Sequence, residues 1–235
     1  MKKRAPLLAA AFAAGMLALP AVAARADVLV ELFTSQGCSS CPPADRILAD
    51  IARHDDVIAL SFHVDYWDYL GWRDTFASPE HTRRQRDYRD AFDASVIYTP
   101  QIVIDGRRSV PATHEGAILE AIEAARVPED EEPIRIEGAT GMLEASLAPA
   151  AQPRPCTVWI AKYRVSETVA VERGENAGRT LSYHNVVTSL DRIGEWDGRN
   201  DETVMLPQPG PGEGVAIWLQ EGPGGPVLAA AAHEG

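Results

Sequence analysis

The sequence is short of cysteine, of basic residues and of long apolar segments, and each shortage excludes a class of protein. Only three of its 235 residues are cysteines, too few for a small disulfide-stapled domain, and the odd number leaves one without an intrachain partner. The 22 basic residues are outnumbered by 34 acidic ones, giving a formal charge of −12. So acidic a chain repels nucleic acid and anionic lipid surfaces, and we expect it to bind neither. Internal repeats are also lacking.

The first 26 residues have the composition of a Sec-type signal peptide. Residues 2–4 are basic, residues 7–19 are apolar, and residues 24–26 form a small-x-small cleavage site. The apolar stretch is short for a membrane span and no stop-transfer pattern follows it, so we expect no stable membrane anchor. Cleavage after residue 26 removes four basic residues and moves the formal charge to −16. The sequence thus predicts a periplasmic or secreted protein in an oxidising compartment.

Residues 27–127 alternate between the patterns of strands and helices, which indicates an α/β layer. Three apolar runs predict strands and three periodic segments predict helices. The strands are expected at 28–33, 57–64 and 102–104, and the helices at 41–53, 79–92 and 114–125. An aromatic insertion over residues 66–76 follows the second strand, and we expect it mainly to pack.

The pattern changes at residues 128–133, an acidic linker bounded by prolines. Helical periodicity disappears beyond it, and short β-type runs separated by Gly- and Pro-rich turns follow. The runs lie at 134–137, 143–147, 157–163, 168–171, 181–190, 203–206 and 215–219. We therefore predict an all-β, sandwich-like C-terminal domain over residues 134–235. The Ala- and Gly-rich end of the chain is expected to be loosely held.

A C-x-x-C motif at residues 38–41 is the most informative feature. It follows the first predicted strand and opens the first predicted helix, a context typical of redox-active pairs. A helix N-terminus stabilises a thiolate, so we expect Cys38 to be an exposed attacking thiol and Cys41 a more buried resolving thiol. Pro42 and Pro43 remove two N–H donors from that turn. We therefore expect the Cys38 thiolate to be less stabilised than at a helix N-terminus that has all of its N–H donors.

The residues leave two other uses of the pair open. A structural disulfide is one, although a bridge over so small a ring constrains the unfolded chain little. Zinc or copper binding is the other, with Cys38, Cys41 and His63 as ligands, in which case the protein is a metal carrier. Structural zinc usually takes four ligands and no second C-x-x-C is present, so we predict no metal.

Thr99-Pro100 comes directly before the third predicted strand. An X-Pro bond has an appreciable cis population, and a cis bond here would turn the Thr99 backbone towards the C-x-x-C. A partner peptide would then pair with it as an added strand. The alternative is a trans proline at the start of a strand. With the C-x-x-C upstream we expect the cis form.

Residues 31–45, ELFTSQGCSSCPPAD, together with 98–101, YTPQ, resemble the thioredoxin superfamily. With FHVDYW at 62–67 and GENAGRTL at 174–181, nearly all of the mature chain is similar to an exported bacterial family, the domain of unknown function 1223.

The superfamily resemblance implies a thioredoxin-like N-terminal domain over residues 27–127. It also implies that Cys38 is the nucleophile, Cys41 the resolving thiol and Pro100 a cis-proline. Glu31 resembles the buried acid on the preceding strand, and Gly37 replaces the aromatic residue before the first cysteine.

These observations predict an exported thiol–disulfide oxidoreductase that needs no cofactor, because the dithiol carries the electrons. Its partners would be a protein or peptide disulfide or dithiol, or a small-molecule disulfide, and a further redox protein. Thr99, Glu31 and His63 are expected to support the cysteines, and Cys156 to be buried and inert. A non-catalytic binding scaffold with a permanent bridge is the remaining alternative.

Overall fold

A computed structural model describes residues 27–126, 133–139 and 142–235. The predicted signal peptide and, apart from Pro133, the predicted linker lie outside the described residues. In chain order the elements are β1 Val28–Thr34, α1 Pro42–Ile51, β2 Val57–His63, a short 3-10 helix Asp68–Leu70, α2 Pro79–Ala91, β3 Gln101–Ile104, β4 Arg108–Pro111, α3 Glu115–Ala125, β5 Ile134–Ala139, β6 Met142–Leu147, β7 Cys156–Val171, β8 Arg179–Trp196, β9 Glu202–Leu206, β10 Glu213–Gln220 and β11 Val227–Glu234.

Eight strands form one mixed sheet in the order β11-β10-β7-β8-β2-β1-β3-β4. At its centre β1 and β2 run parallel, and β3 lies antiparallel to β1. The strand β8 joins the free edge of β2 through a parallel pairing of Ser61 with Val186. The strands β5, β6 and β9 form a separate antiparallel sheet. The protein is therefore a mixed α/β structure with one large mixed sheet, one small sheet and few helices.

The C-terminal section forms two packed sheet layers, as a sandwich does, but the larger layer is continuous with the sheet of the N-terminal section. Residues 134–139 and 142–235 contain no helix, as predicted, and the small sheet packs on the large one. However, β7, β8, β10 and β11 continue the sheet that β1 to β4 begin, so the sheet crosses the predicted boundary at 128–133. The division into two domains stays a prediction.

The strands and helices follow from burial on both faces of the sheet. All seven residues of β1 are buried, which explains its continuous apolar run, since a strand covered on both faces need not alternate. On one face Leu32 packs with Leu48 of α1 and Ile118 of α3. On the other face Phe62 packs with Tyr88 of α2 and with residues of the C-terminal section. Both sections of the chain therefore share one core.

The end of the chain is an ordered strand, so the expectation of a loosely held end is wrong. The strand β11 pairs along β10, from Gly214 opposite Glu234 to Gln220 opposite Val227. Its Ala229 and Ala231 are buried in the apolar layer between the two sheets, and Ala230 is buried on the opposite face. Small side chains leave little periodic signal, which is why the sequence did not predict this strand. Among the described residues, no helix has the length and apolar character needed to cross a membrane.

Candidate functional site

The two cysteines of the C-x-x-C motif are joined by a disulfide where β1 passes into α1. The Sγ atoms of Cys38 and Cys41 are 2.10 Å apart and their Cα atoms 5.4 Å apart. Two consecutive turns produce this pairing: the N–H of Cys38 donates to the carbonyl of Ser35 (3.1 Å), and the N–H of Cys41 to the carbonyl of Cys38 (3.2 Å). Cys41 is the N-cap of α1, and Pro42 and Pro43 fill the first turn, where their missing N–H groups cost little.

Cys38 is buried, and the prediction that it is exposed is wrong. Both cysteines have an exposed fraction of 0%, whereas Ser39 and Ser40 between them are exposed. The helix start does face the surface, as the sequence indicates, but both cysteines are enclosed, and two distant segments of the chain contact the loop that carries them.

The first of these segments is the loop between β7 and β8, residues 172–178, which we call the hairpin tip. The Nδ2 atom of Asn176 donates to the carbonyls of Gln36 (3.0 Å) and Cys38 (2.9 Å), and Asn176 is itself 1% exposed. The Glu175 carboxylate accepts from the N–H (3.2 Å) and the hydroxyl (2.7 Å) of Ser39. The C-terminal section thus contacts the C-x-x-C loop directly, a contact that no local sequence pattern predicts.

The second of these segments is the aromatic insertion between β2 and α2. A Cβ atom added to Gly37 would lie 3.1 Å from Cβ of Trp67, so glycine allows the insertion to approach the C-x-x-C loop. The indole N–H of Trp72 donates to Oε1 of Gln36 (2.8 Å), which fixes the same loop from another side. Trp67 and Trp72 of the insertion therefore pack against the C-x-x-C loop, whereas Tyr69 is exposed.

Thr99 and Pro100 lie at the same edge of the sheet as the cysteines. The antiparallel register sets Gln101, the first residue of β3, opposite Phe33 near the end of β1. The Thr99–Pro100 peptide bond is cis. The indole N–H of Trp67 donates to the Thr99 hydroxyl (2.8 Å), so Trp67 contacts both the loop before Cys38 and the loop before β3.

His63 is tied to Asp74 rather than to the cysteines. Its Nδ1 atom lies 2.7 Å from Oδ2 of Asp74, and that oxygen also accepts from the N–H of Gln36 (2.7 Å). Burial favours a raised pKa for Asp74, but the His63 ring and these hydrogen bonds outweigh it and hold the pKa below its usual value. The Nε2 atom of His63 is buried without a hydrogen-bond partner, and its ring packs on Tyr183 at 4.7 Å between centroids. His63 thus supports the C-x-x-C loop through Asp74.

Asp45 is a buried carboxyl on the same side of α1 as the disulfide, and the sequence analysis missed it. It follows Cys41 by four residues, a spacing that sets two side chains on one helix face. The Thr34 hydroxyl donates to its Oδ1 (2.8 Å). Burial raises the pKa of Asp45 to about 7, against the opposing effects of His63 and the Thr34 hydrogen bond. The available signal in the sequence was an acidic residue in the first turn of the helix that begins at the C-x-x-C motif.

Glu31 is buried, but its carboxylate belongs to another cluster. Strand alternation sets Glu31 on the face of β1 opposite α1, and Nη2 of Arg84 lies 3.0 Å from its Oε2. Nε of Arg84 and the Tyr88 hydroxyl donate to the same carboxylate. The Arg84 guanidinium also lies over four aromatic rings, including Trp218 at 4.9 Å. The Glu31 carboxylate is thus bound by Arg84 and Tyr88 on the face of β1 opposite α1.

Other reactive groups lie away from this site. Cys156 is buried, as predicted; burial raises the pKa of its thiol to about 11, and the thiol donates to the carbonyl of Trp196 (3.6 Å). A cavity of about 260 Å³ lined by Asp27 and Asp105 lies at the opposite end of β1. Within the described ranges, no group of three or more His, Cys, Asp or Glu side chains is arranged to hold a metal ion.

Fold and site together define an α/β protein with a buried C-x-x-C disulfide at a strand–helix junction. The chain belongs to the family described as protein of unknown function (DUF1223), whose model matches residues 29–220.

Two solved structures are similar. One is protein AGR_C_4864 from Agrobacterium tumefaciens, 32% identical, with a TM-score of 0.75, covering 88% of this chain and 94% of that chain. The other is HBP35 of Porphyromonas gingivalis, 12% identical, with a TM-score of 0.60, covering 89% of this chain and 75% of that chain, a likeness of fold alone. A comparison with the curated proteins finds no match.

Proposed function

We propose that this protein is an exported thiol–disulfide oxidoreductase whose N-terminal section is thioredoxin-like. The observation that carries the proposal is the disulfide between Cys38 and Cys41 at the junction of β1 and α1. A C-x-x-C pair beside a βαβ unit is typical of thioredoxin-like redox proteins. The parallel pair β1 and β2 with its crossover α1, followed by antiparallel β3 and β4, supports the fold.

The chemistry follows from two thiols that are three positions apart in the chain. In the reduced protein the Cys38 thiolate attacks one sulfur of a substrate disulfide; that S–S bond breaks, and one substrate thiolate leaves. The Cys41 thiolate then attacks Sγ of Cys38, releases the second substrate thiolate and forms the intramolecular disulfide. Two electrons pass to the substrate, whose thiolates take up protons from water. In reverse, the oxidised protein accepts two electrons from a substrate dithiol, and no dissociable cofactor is required.

The edge formed by Thr99 and Pro100 supplies the expected binding position for a partner's backbone. It lies next to the C-x-x-C loop, and a strand added there would bring a partner cysteine towards Cys38. Trp67 occupies this edge through its bond to the Thr99 hydroxyl, so a partner must displace or stack on that indole.

The test measures exchange with a peptide that contains one disulfide, using the reduced protein without its signal peptide. We expect Cys38→Ser to abolish exchange, since no attacking thiolate remains, and Cys41→Ser to accumulate a mixed disulfide detectable by mass. Cys156→Ala is the matched control, because this thiol is buried away from the site, and it should exchange at the wild-type rate.

The burial of both cysteines favours a second candidate, a non-catalytic scaffold with a permanent bridge. The reduction potential separates the two candidates. Exchange catalysts lie between about −120 and −270 mV and structural disulfides below about −300 mV. A value below −300 mV together with no exchange by the wild-type protein would reject the oxidoreductase.

A further inference from the structure

Among the described residues, two side chains of the hairpin tip hydrogen-bond to the C-x-x-C loop. Asn176 donates to the carbonyls of Gln36 and Cys38, and Glu175 accepts twice from Ser39. The two Asn176 bonds are buried, whereas the two Glu175 bonds are exposed to water, where such contacts are weak. The contacts of the tip with the C-x-x-C loop are thus few and polar, whereas the base of the hairpin packs on Trp72 and Phe76 in an apolar cluster.

We propose that the hairpin tip is a lid that closes over the oxidised C-x-x-C and must move away before an attacking thiol can reach Cys38. Its purpose rests on the proposed function, since a lid regulates access only if the disulfide reacts. The opening of the lid does not depend on that function, because any thiol reagent has to pass the hairpin tip to reach Cys38.

Glycines bound the part of the tip that makes the contacts. Gly174 and Gly178 have φ values of +77° and +78°, in the left-handed region that favours glycine, and they flank residues 175–177. The N–H of Gly178 donates to the carbonyl of Val171 (2.8 Å), which closes the hairpin below the tip. The segment 174–178 therefore can change its backbone angles at two glycines while β7 and β8 stay paired.

The lid contacts the backbone that the redox step rearranges. An attacking thiolate forms a bond to Sγ of Cys38, the bond to Cys41 breaks, and its electron pair leaves on Sγ of Cys41, which takes a proton from water. The two sulfurs then separate, and the turn that presents the Cys38 carbonyl to Asn176 is no longer fixed by the ring. Because coupling is reciprocal, reduction should weaken the closed lid and the closed lid should oppose reduction.

The experiment measures the rate at which dithiothreitol reduces the disulfide of the folded oxidised protein. Samples are quenched with an alkylating reagent, and mass spectrometry separates the reduced from the oxidised protein. Asn176→Ala removes the two buried hydrogen bonds to the C-x-x-C loop and the bond that Oδ1 of Asn176 accepts from Arg179 (2.7 Å), and we expect about a tenfold faster reduction. Glu175→Ala removes the two exposed bonds, and we expect about a threefold acceleration. Glu172→Ala is the matched control: Glu172 is exposed on the same tip without a hydrogen bond or ion pair to any described residue, and the rate should be unchanged.

Asn176→Asp is the second variant, in case the alanine variant loses stability. It keeps the side-chain shape but sets a carboxylate against two carbonyl oxygens, so it should accelerate reduction at least as much. Urea separates lid opening from unfolding, since the urea dependence of a rate scales with the surface exposed. Two results would overturn the lid. One is a wild-type reduction rate whose urea dependence equals that of global unfolding. The other is equal reduction rates for Asn176→Ala and Glu172→Ala.

These outcomes are distinct from failure of the proposed function. A protein that shows gated reduction by dithiothreitol but no exchange with the peptide disulfide has the lid without the oxidoreductase. A protein that exchanges with the peptide but reduces at one rate in all variants has the oxidoreductase without the lid.

Discussion

At the scale of single residues, the site depends on polar groups that burial sets apart from their ordinary behaviour. Asp45, His63 and Asp74 form a connected buried group beside the C-x-x-C loop, with Thr34 and Gln36 as hydrogen-bond donors. Buried polar groups of this kind specify one arrangement when they are satisfied. The loop before Cys38 is therefore held by the Asp74 carboxylate and by Asn176 of the hairpin tip.

Asp45 should make stability depend on pH. Its pKa is about 7 in the folded protein and near 4 when unfolded, so between these values only the folded state keeps the proton. The stabilisation is complete below about pH 4 and is lost as the pH rises through about 7, on the order of 4 kcal/mol in all. Asp45→Asn should remove this loss, so the variant gains stability relative to the wild type as the pH rises.

Urea unfolding at pH 4 to 8 measures this effect. Asp50→Asn is the control, because Asp50 is on the same helix and exposed, and its profile should follow the wild type. Burial also raises the pKa of Asp105 to about 7. Asp105 therefore adds its own pH dependence to the free energy of unfolding, and both variants retain it. Parallel profiles for Asp45→Asn and the wild type would contradict the assignment.

At the scale of elements, the loop between β10 and β11 fits closely against α2. A Cβ atom on Gly224 would lie 2.4 Å from the carbonyl oxygen of Asp87 and 2.8 Å from the backbone nitrogen of Tyr88. Tyr88 and Arg84 on the same helix bind Glu31 of β1 and Gln220 of β10. The helix α2 therefore joins the two sections of the chain through backbone contact and a buried ion pair.

Gly224→Ala should cost far more stability than Gly222→Ala. Both glycines have left-handed φ, +64° and +57°, so each alanine is strained, by about 1 kcal/mol. Only at Gly224 does the new methyl group meet the α2 backbone, whereas nothing lies within 4 Å at Gly222. We expect an additional loss of about 2–4 kcal/mol at Gly224, measured by urea unfolding with tryptophan fluorescence. Equal losses would mean that the loop adjusts without affecting α2.

At the scale of the whole molecule, one sheet and one shared core favour a single cooperative unit. Leu60 and Phe62 of β2 pack in the same cluster as Val187 and Trp218 of the C-terminal section. The strand β8 covers the edge that β2 would otherwise expose, and exposed edges favour aggregation. The predicted boundary at 128–133 therefore does not coincide with a break in the packing.

Unfolding should then occur in one transition that far-UV circular dichroism and tryptophan fluorescence report at the same urea concentration. A chain limited to residues 27–126 should fail to fold stably, because it would expose the apolar face that Trp218 and Val187 cover. Two separate transitions, or a cooperatively folded 27–126 chain, would support two domains instead.

The sequence by itself determined the elements and the chemical motif. The periodic patterns placed all three helices and most strands, because burial on one side or both leaves a regular signal along the chain. The pairing of Cys38 with Cys41 followed from their spacing, and the motifs were sufficient to indicate the family. These features are encoded within a few residues of one another.

Only the tertiary structure decided what covers the site and which groups serve it. The Asn176 amide and the Cys38 carbonyl are 138 positions apart, and no local pattern announces such a pair. The same holds for Arg84, which engages Glu31 away from the cysteines, and for β8, which extends the sheet that β1 and β2 begin. Side-chain contacts across long separations depend on packing in three dimensions, and they determine whether this disulfide is exposed or enclosed.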